Sequence, residues 1–334
     1  MPVTPSQLPS GLLKEVSRSF YLTLRVLPGS IRLQLGLAYL LARTTDTIAD
    51  TEVVPLEARL AALQALRARI LGEGSGPLEF GELARRQGRP AERALLESVE
   101  ASLARLAALV PTDQQLVRQV LDIITSGQEL DLRRFAGASA AQVVALATAE
   151  ELDDYTYRVA GCVGEFWTRM CRAHVFPRAA LDDQFLLTNG VRFGKGLQLV
   201  NVLRDLPVDL RQGRCYLPAQ GLAACGLASG DLLDASAEPR LRPLYGGYLD
   251  QAQAHLLAGW DYTNALPRGC VRVRLACAWP ILIGLETLRL LRGANVLDAA
   301  HRVKVSRQRV RGLMWRSLVC YPWPGAWRGL GRGA

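Results

Sequence analysis

Apolar side chains recur along this chain at intervals of three and four far more often than they alternate, which is the period of a helix with one buried face. Read this way, the sequence predicts helices over about 11–25, 31–50, 55–72, 92–109, 112–136, 140–147, 150–173, 179–211, 228–236, 240–264, 270–292 and 295–318. The break "LPGS" at 27–30 separates the first two, and Ser30 is the predicted cap of the second. The stretch "GEGSGPLEFGELARRQGRP" (72–90) reads as a loop, because its glycines and prolines interrupt the period. There is no strand–turn–strand pattern, no repeat and no long linker. The prediction is one all-α domain over 1–334, with a core at about 12–318 and a basic, Trp-containing tail at 319–334.

Composition narrows the partners. The formal net charge is +9, yet lysine occurs only at Lys14, Lys195 and Lys304, so arginine supplies nearly all the positive charge. Its planar fork suits phosphates. No Lys/Arg block resembles a nucleic-acid arm, so the expected anion is a phosphorylated small molecule or a membrane surface, and no nucleic acid. The seven cysteines form no CxxC pair, and several lie in apolar stretches, which points to buried thiols in a reducing compartment. With three scattered histidines, no zinc site is expected. The amino terminus lacks a charged-then-apolar leader pattern. The most apolar late run, "LACAWPILIGLETLRLL", carries Pro280, Glu286 and Arg289 and reads as a buried helix rather than a membrane span. A cytoplasmic monomer is expected. A frayed end is the default for the tail. Trp315, Trp323 and Trp327 among arginines also suit a peripheral membrane contact.

Two helical stretches carry polar rows through apolar surroundings. In "YLLARTTDTIAD" (39–50), Tyr39, Arg43, Asp46 and Asp50 follow at steps of four, three and four and share one stripe. In "GLQLVNVLRDLPVD", Gln198, Asn201, Asp205 and Asp209 repeat the arrangement. One such Asp pair also describes a solvated helix face; two matched rows make a sharper pattern. Like carboxylates one turn apart repel, and burial worsens this unless a cation compensates. A hard divalent cation fits, since Mg²⁺ favours one or two carboxylates with water and substrate phosphates. Arg18, Arg43, Arg204 and Arg214 are candidates for the remaining phosphate oxygens. Metal ions on a diphosphate make it a better leaving group, and a prenyl chain left behind would become an allylic cation sheltered by apolar walls.

At these residues the chain resembles the squalene/phytoene synthases, head-to-head prenyl transferases of the all-α isoprenoid synthase fold. The likeness runs from about 12 to about 315. "SRSFYLTLRVLP" (17–28) is similar to the family's amino-terminal substrate segment. "YLLARTTDTIAD" and "LQLVNVLRDLPVDLRQGRCYLP" (197–218) resemble its two aspartate-rich motifs, and "YTYRVAGCVGEFW" (155–167) its tyrosine-bearing helix. Towards the carboxyl end, "RLACAWPILIGLETLRLLRG" and "AHRVKVSRQRV" (300–310) look nearer to squalene synthases, the latter to a basic segment used near NADPH.

The resemblance implies a helical bundle around a central apolar cavity, with Mg²⁺ and NADPH as cofactors and farnesyl diphosphate as substrate. Asp46, Asp50, Asn201, Asp205 and Asp209 would hold Mg²⁺ and diphosphate. Arg18, Ser19, Arg43, Arg204 and Arg214 would bind phosphate groups, and Phe20, Tyr39, Val159, Val163 and Gln198 would line the substrate pocket. Tyr155 matches a tyrosine that assists proton removal. Lys304 and Arg307 lie in the NADPH-associated segment, with Arg18, Arg43 and Asn201 as further cofactor contacts. Ser306 stands where a base is found near NADPH. Pro207 inside the second motif is expected to bend the helix before Asp209. The implied reaction condenses two farnesyl diphosphates through presqualene diphosphate and reduces the product to squalene. The alternatives are dehydrosqualene, phytoene or presqualene diphosphate synthesis without reduction, and, more remotely, a non-catalytic scaffold role.

Overall fold

The computed structural model describes residues 12, 15, 16 and 20–331. Arg18 and Ser19, and the side chain of Phe20, lie outside the described residues. The helices in chain order are α1 (Phe20–Val26), α2 (Gly29–Asp50), α3 (Leu56–Leu71), α4 (Gly81–Arg85), α5 (Pro90–Glu97), α6 (Val99–Ala107), α7 (Pro111–Arg134), α8 (Ala149–Thr156), α9 (Cys162–His174), α10 (Asp183–Arg211), α11 (Ala219–Ala224), α12 (Glu238–Ala265), α13 (Val271–Arg292), α14 (Arg307–Cys320) and α15 (Pro324–Gly329). A π-helical turn, Tyr157–Gly161, joins α8 to α9. The fold is all-α, as its hydrophobic period predicts. The described residues contain one small pair of parallel strands, β1 (Val144–Ala145) and β2 (Arg214–Cys215). Among the described residues no helix is long and apolar enough to cross a membrane, and all seven cysteines are free thiols.

The chain forms two compact units. The first takes the described residues up to Arg133 with Phe166–Arg178. Its central element is α2, which packs against α3, α5 and α6 and buries Ile31, Leu35, Leu37, Leu41 and Ile48. The helix starts after Pro28, whose fixed φ of −56° suits a first-turn boundary, and no side chain caps it. Ser30 is thus a first-turn residue and not the predicted cap. The predicted 92–109 helix is divided at Ser98, whose hydroxyl donates to the Leu95 carbonyl at 3.1 Å and competes with the backbone ladder. In the first turn of α7, buried Asp113 accepts from Gln34 Nε2 at 2.8 Å and lies 2.7 Å from His174 Nε2.

The second unit comprises Arg134–Glu165 and the described residues from Ala179 onward. Its main axis is α10, packed along α12 and against α13. Glycine permits the closest approaches. A Cβ at Gly194 would stand 2.1 Å from the Ala160 carbonyl oxygen, and one at Gly164 would stand 1.8 Å from that of Gly190. Close helix packing therefore accounts for the glycines of α10 without reference to a ligand.

Pro207 sits inside α10, yet the helix runs on to Arg211 and carries Asp209 with it. Proline leaves the carbonyl four residues back without its N–H partner. Here that carbonyl, on Leu203, accepts from the fully buried Tyr245 hydroxyl of α12 at 2.9 Å. Burial accordingly pushes the Tyr245 phenol above its ordinary range.

Several predicted helices differ from those observed, for local reasons. Residues 140–147 are not helical: a turn at 140–141 leads into β1, where Val144 N donates to Gly213 O at 2.9 Å and Leu146 N to Cys215 O at 3.0 Å, so a neighbouring chain segment takes the bonds a helix would make. The 228–236 stretch forms two short 3₁₀ turns, Ser229–Leu233 and Ala235–Ala237. The 295–318 prediction is helical only from Arg307, because the Asn295 and Asp298 side chains accept from Leu297 N and Ala300 N at 3.0 and 2.8 Å and fix turns. Two short helices, α4 and α11, lie in stretches predicted to be irregular. Within the described part of the tail, 319–331, α15 buries Trp327 at 2% exposure.

Two predictions follow from these contacts. Removing the hydroxyl in Tyr245→Phe should lower stability by about 1–3 kcal/mol, as for any orphaned buried carbonyl. In a Pro207→Ala background the restored N–H should recover part of that loss. Equal losses in both backgrounds, by urea unfolding, would contradict the pairing. The second concerns Glu286 of α13, nearly buried at 3% exposure. Arg289 (2.8 Å), against the opposing effect of burial, and Arg309 of α14 (3.0 Å) hold its carboxyl down to about 2. A depressed acid contributes stability that is complete above the unfolded value of about 4.3 and is lost as pH falls toward 2. Glu286→Gln should therefore flatten the loss of stability over that window, and an unchanged acid profile would remove the pair from the account.

Candidate active site

The first acidic row stands on α2. Tyr39, Arg43 and Asp46 are half-buried and Asp50 is exposed, between buried Leu40, Leu41, Thr44, Thr45, Thr47, Ile48 and Ala49. Arg43 is shared: one amino group donates to Asp46 and the other to Glu92 Oε1 at 2.9 Å. Burial pushes the Asp46 carboxyl above the usual carboxylate range. Arg43 pulls it back, Glu92 adds to the rise, and the upward effects win. One guanidinium thus serves two acids. Asp50 adds to the negative field at Arg43. The Tyr39 hydroxyl donates to the Val16 carbonyl at 3.1 Å.

The second row stands on α10 and is compensated differently. Arg204 grips Asp205 with two bonds of 2.8 and 2.6 Å, and Arg302 adds a second guanidinium to the Oδ1 side, with its Nε at 3.1 Å. Burial pushes the Asp205 carboxyl up, but the two arginines outweigh it and hold the group below its ordinary range. Asp209 adds to the negative field at Arg204. On the same face Asn201 Nδ2 donates to Gln198 Oε1 at 3.4 Å, and Gln198 Nε2 donates to the Tyr155 hydroxyl at 3.1 Å. The Tyr155 ring stacks on Tyr216 with centroids 4.5 Å apart, and Tyr216 meets Phe135 edge-on at 5.2 Å. This phenol is fixed at both its ring and its oxygen.

Each row is therefore assembled within its own unit. The other expected residues fall as follows. Val159 lies in the π-helical turn, half-buried against the core of the second unit, and Val163 is half-buried on α9. Arg214 is half-buried in β2. Lys304 is exposed, and Arg307 is the exposed first residue of α14. Ser306 caps α14, its hydroxyl accepting from Arg309 N at 3.2 Å, so the residue standing in place of a base has a structural task. Sequence reasoning missed Arg302, Glu92 and Tyr216. Arg302 lies 97 positions from Asp205, beyond any periodic signal, although it sits inside the basic 300–310 stretch. Glu92 belongs to a separate short helix, and Tyr216 lies within the second motif beside Arg214.

Among the described residues, no three His, Cys, Asp or Glu side chains gather into a metal-binding group. The donors of both rows are oxygen atoms, the chemistry that hard cations take.

The squalene/phytoene synthase family model matches residues 13–309, and the chain belongs to that family. It is 29% identical over 320 residues to a bifunctional lycopene cyclase/phytoene synthase of Gibberella fujikuroi, covering 92% of this chain and 51% of the relative. It is 26% identical over 315 residues to a 15-cis-phytoene synthase of Synechococcus elongatus, covering 92% and 87%. The chain spans about half the length of the bifunctional relatives that it matches. In structure it is similar to TcSQS in complex with the ligand E5700, with a TM-score of 0.73, 22% identity and coverage of 92% and 84%. It is also similar to a dehydrosqualene synthase, with a TM-score of 0.66, 22% identity and coverage of 93% and 94%. Those two likenesses concern the fold.

Arg302→Gln removes one of the two guanidiniums on Asp205. Its carboxyl should rise toward the ordinary value of about 3.9, so an NMR titration of the Asp205 carboxyl should show its midpoint moved to higher pH. An unmoved midpoint would show that Arg302 is only a surface partner.

Proposed function

We propose that this chain joins two prenyl diphosphates head to head, with Mg²⁺ as its metal. The observation that carries the reading is the pairing of acids with arginines on both rows: Arg43 with Asp46, and Arg204 and Arg302 with Asp205. Each pair contains the two charges that a metal–diphosphate complex also contains. On each row the arginines, Arg43 on the first and Arg204, Arg302 and Arg214 on the second, would bind phosphate oxygens and so free their carboxylates to hold metal. Asp46, Asp50, Asn201, Asp205 and Asp209 are the residues that would hold Mg²⁺. The bound metal would neutralise the diphosphate and stabilise it as a leaving group.

The chain's own residues then have defined tasks. The arginines orient the diphosphate and retain it as it departs. The double bond of the second prenyl chain attacks the allylic carbon, and Tyr155, held by Gln198 and Tyr216, assists removal of the proton that closes a cyclopropane ring. A second ionisation rearranges that ring. NADPH, if held by Lys304 and Arg307, would supply a hydride to the final cation and give squalene from farnesyl diphosphate; loss of a proton instead would give dehydrosqualene or phytoene. The basic 300–310 segment, with Lys304 and Arg307, supports the reductive outcome. The two phytoene synthase relatives support the proton-loss outcome from geranylgeranyl diphosphate, as does the use of Arg302 and Ser306 for other contacts.

Purified protein with Mg²⁺, given farnesyl or geranylgeranyl diphosphate with and without NADPH, tests the proposal by product analysis. A head-to-head C30 or C40 product, either a hydrocarbon or a cyclopropyl diphosphate, is expected in at least one arm, and its absence from every arm would overturn the reading. Squalene that requires NADPH selects reduction; phytoene indifferent to NADPH selects proton loss. Asp46→Asn and Asp205→Asn should each lower turnover by about 100-fold or more, the scale on which lost electrostatic stabilisation acts. Unchanged function in both variants would favour a scaffold role instead.

A further inference from the structure

The carboxyl-terminal part of the second unit holds a charged feature that the acidic rows do not use. Trp327 of α15 stacks on Trp260 with centroids 5.2 Å apart, and its Nε1 donates to Asn264 Oδ1 at 2.9 Å. Against it lies Arg274 of α13, only 5% exposed. The Arg274 guanidinium sits 5.3 Å from the Trp327 ring centroid and 5.5 Å from that of Tyr321. Its hydrogen bonds are long, 3.4 Å to the Leu266 carbonyl and 3.3 Å to Asn264 Oδ1, and its buried Nε has no partner. Among the described residues no carboxylate pairs with it.

Arginine remains protonated in proteins, so this is a buried cation compensated only by aromatic faces and two neutral oxygens. Burial lowers its pKa, Tyr321 opposes that, and the nearby charges of Arg268 and Arg328 lower it further. Both of those arginines are exposed. The three guanidinium-bearing side chains, with Asn264, Tyr321 and Trp327, line a cavity of about 40 Å³ that no acid enters. A single water needs at least about 10–15 Å³ on this measure, so a small tetrahedral group fits.

We propose that this cavity binds a phosphate-type oxyanion, with Arg274 at its base and Arg268 and Arg328 at its rim. Planar forks converging without a carboxylate are what a phosphate's oxygens require. Such an anion supplies the counter-charge that no carboxylate lining this cavity provides. The phosphate could arrive free in solution or on a lipid headgroup. Trp315 and Trp323, 69% and 61% exposed, and Leu318 and Val319, 45% and 46% exposed, lie in the same carboxyl-terminal segment, and tryptophan favours membrane interfaces. The site is separate from the acidic rows and does not depend on their reading.

Calorimetric titration of the full chain with inorganic phosphate, in EDTA and against an ionic-strength-matched chloride control, tests this. Saturable binding is expected, retained in Arg204→Gln and weakened at least tenfold in Arg328→Gln, which alters an exposed side chain. Arg274→Met, checked for folding by circular dichroism, should remove the component that Arg204→Gln leaves intact. Flotation with phosphatidylglycerol vesicles against phosphatidylcholine vesicles distinguishes the sources. Flotation that falls in Arg328→Gln and is competed by phosphate identifies a lipid headgroup; phosphate binding without it identifies the soluble ion. No saturable binding, or binding that Arg328→Gln leaves unchanged, would overturn the proposal and leave Arg274 as an aromatic-held anchor for α15.

Discussion

A carboxylate on a helix surrounded by apolar side chains is stable only beside a cation, and the rest of this structure is arranged around that requirement. The two acidic rows meet it unequally. On α2 one guanidinium is divided between Asp46 and Glu92, and burial still raises Asp46. On α10 two guanidiniums converge on Asp205 and depress it. Compensation is weaker at Asp46 than at Asp205. On the proposed reading, a metal–diphosphate complex would supply cations to carboxylates and phosphate oxygens to arginines.

Within the second unit the scaffold holds the charged side chains of its row in place. Asp209 lies beyond a proline, and the Tyr245 hydroxyl donates to the Leu203 carbonyl in place of the missing N–H. Gly164 and Gly194 let α10 come against the α8–α9 segment closely enough for Gln198 to reach Tyr155. Glu286 binds Arg309 and so ties the start of α14 to α13. The turns of 295–306 then present Arg302 to Asp205. Most of these residues are chemically ordinary. Their contribution lies in holding other side chains still.

Much of this was legible in the sequence where a period carries it. The two polar rows were readable because steps of three and four put Asp46 beside Arg43 and Asp205 beside Asn201 on single helix faces. The helices around them followed from the same rule, to within a few residues for α3, α10 and α13. The misses share a physical cause. Residues 140–147 have a helical pattern, but hydrogen bonds to 213–215 override it. Asn295 and Asp298 stop a helix through side-chain bonds that hydrophobic spacing does not register. Ser98 divides another in the same way. Arg302 was invisible as a site residue because nothing local connects it to a carboxylate 97 positions away. Trp327 looked like part of a loose tail until its stacking partner, Trp260, was placed.

The central claim is that the carboxylates of both rows are cation ligands once a diphosphate takes their arginines. Calorimetric titration with Mg²⁺, in the presence and absence of inorganic diphosphate, measures this directly in the wild type and in Asp46→Asn and Asp205→Asn. The account predicts that diphosphate strengthens Mg²⁺ binding to the wild type and that each substitution weakens the diphosphate-dependent binding at least tenfold. Wild-type Mg²⁺ affinity in both variants, or affinity indifferent to diphosphate, would contradict it.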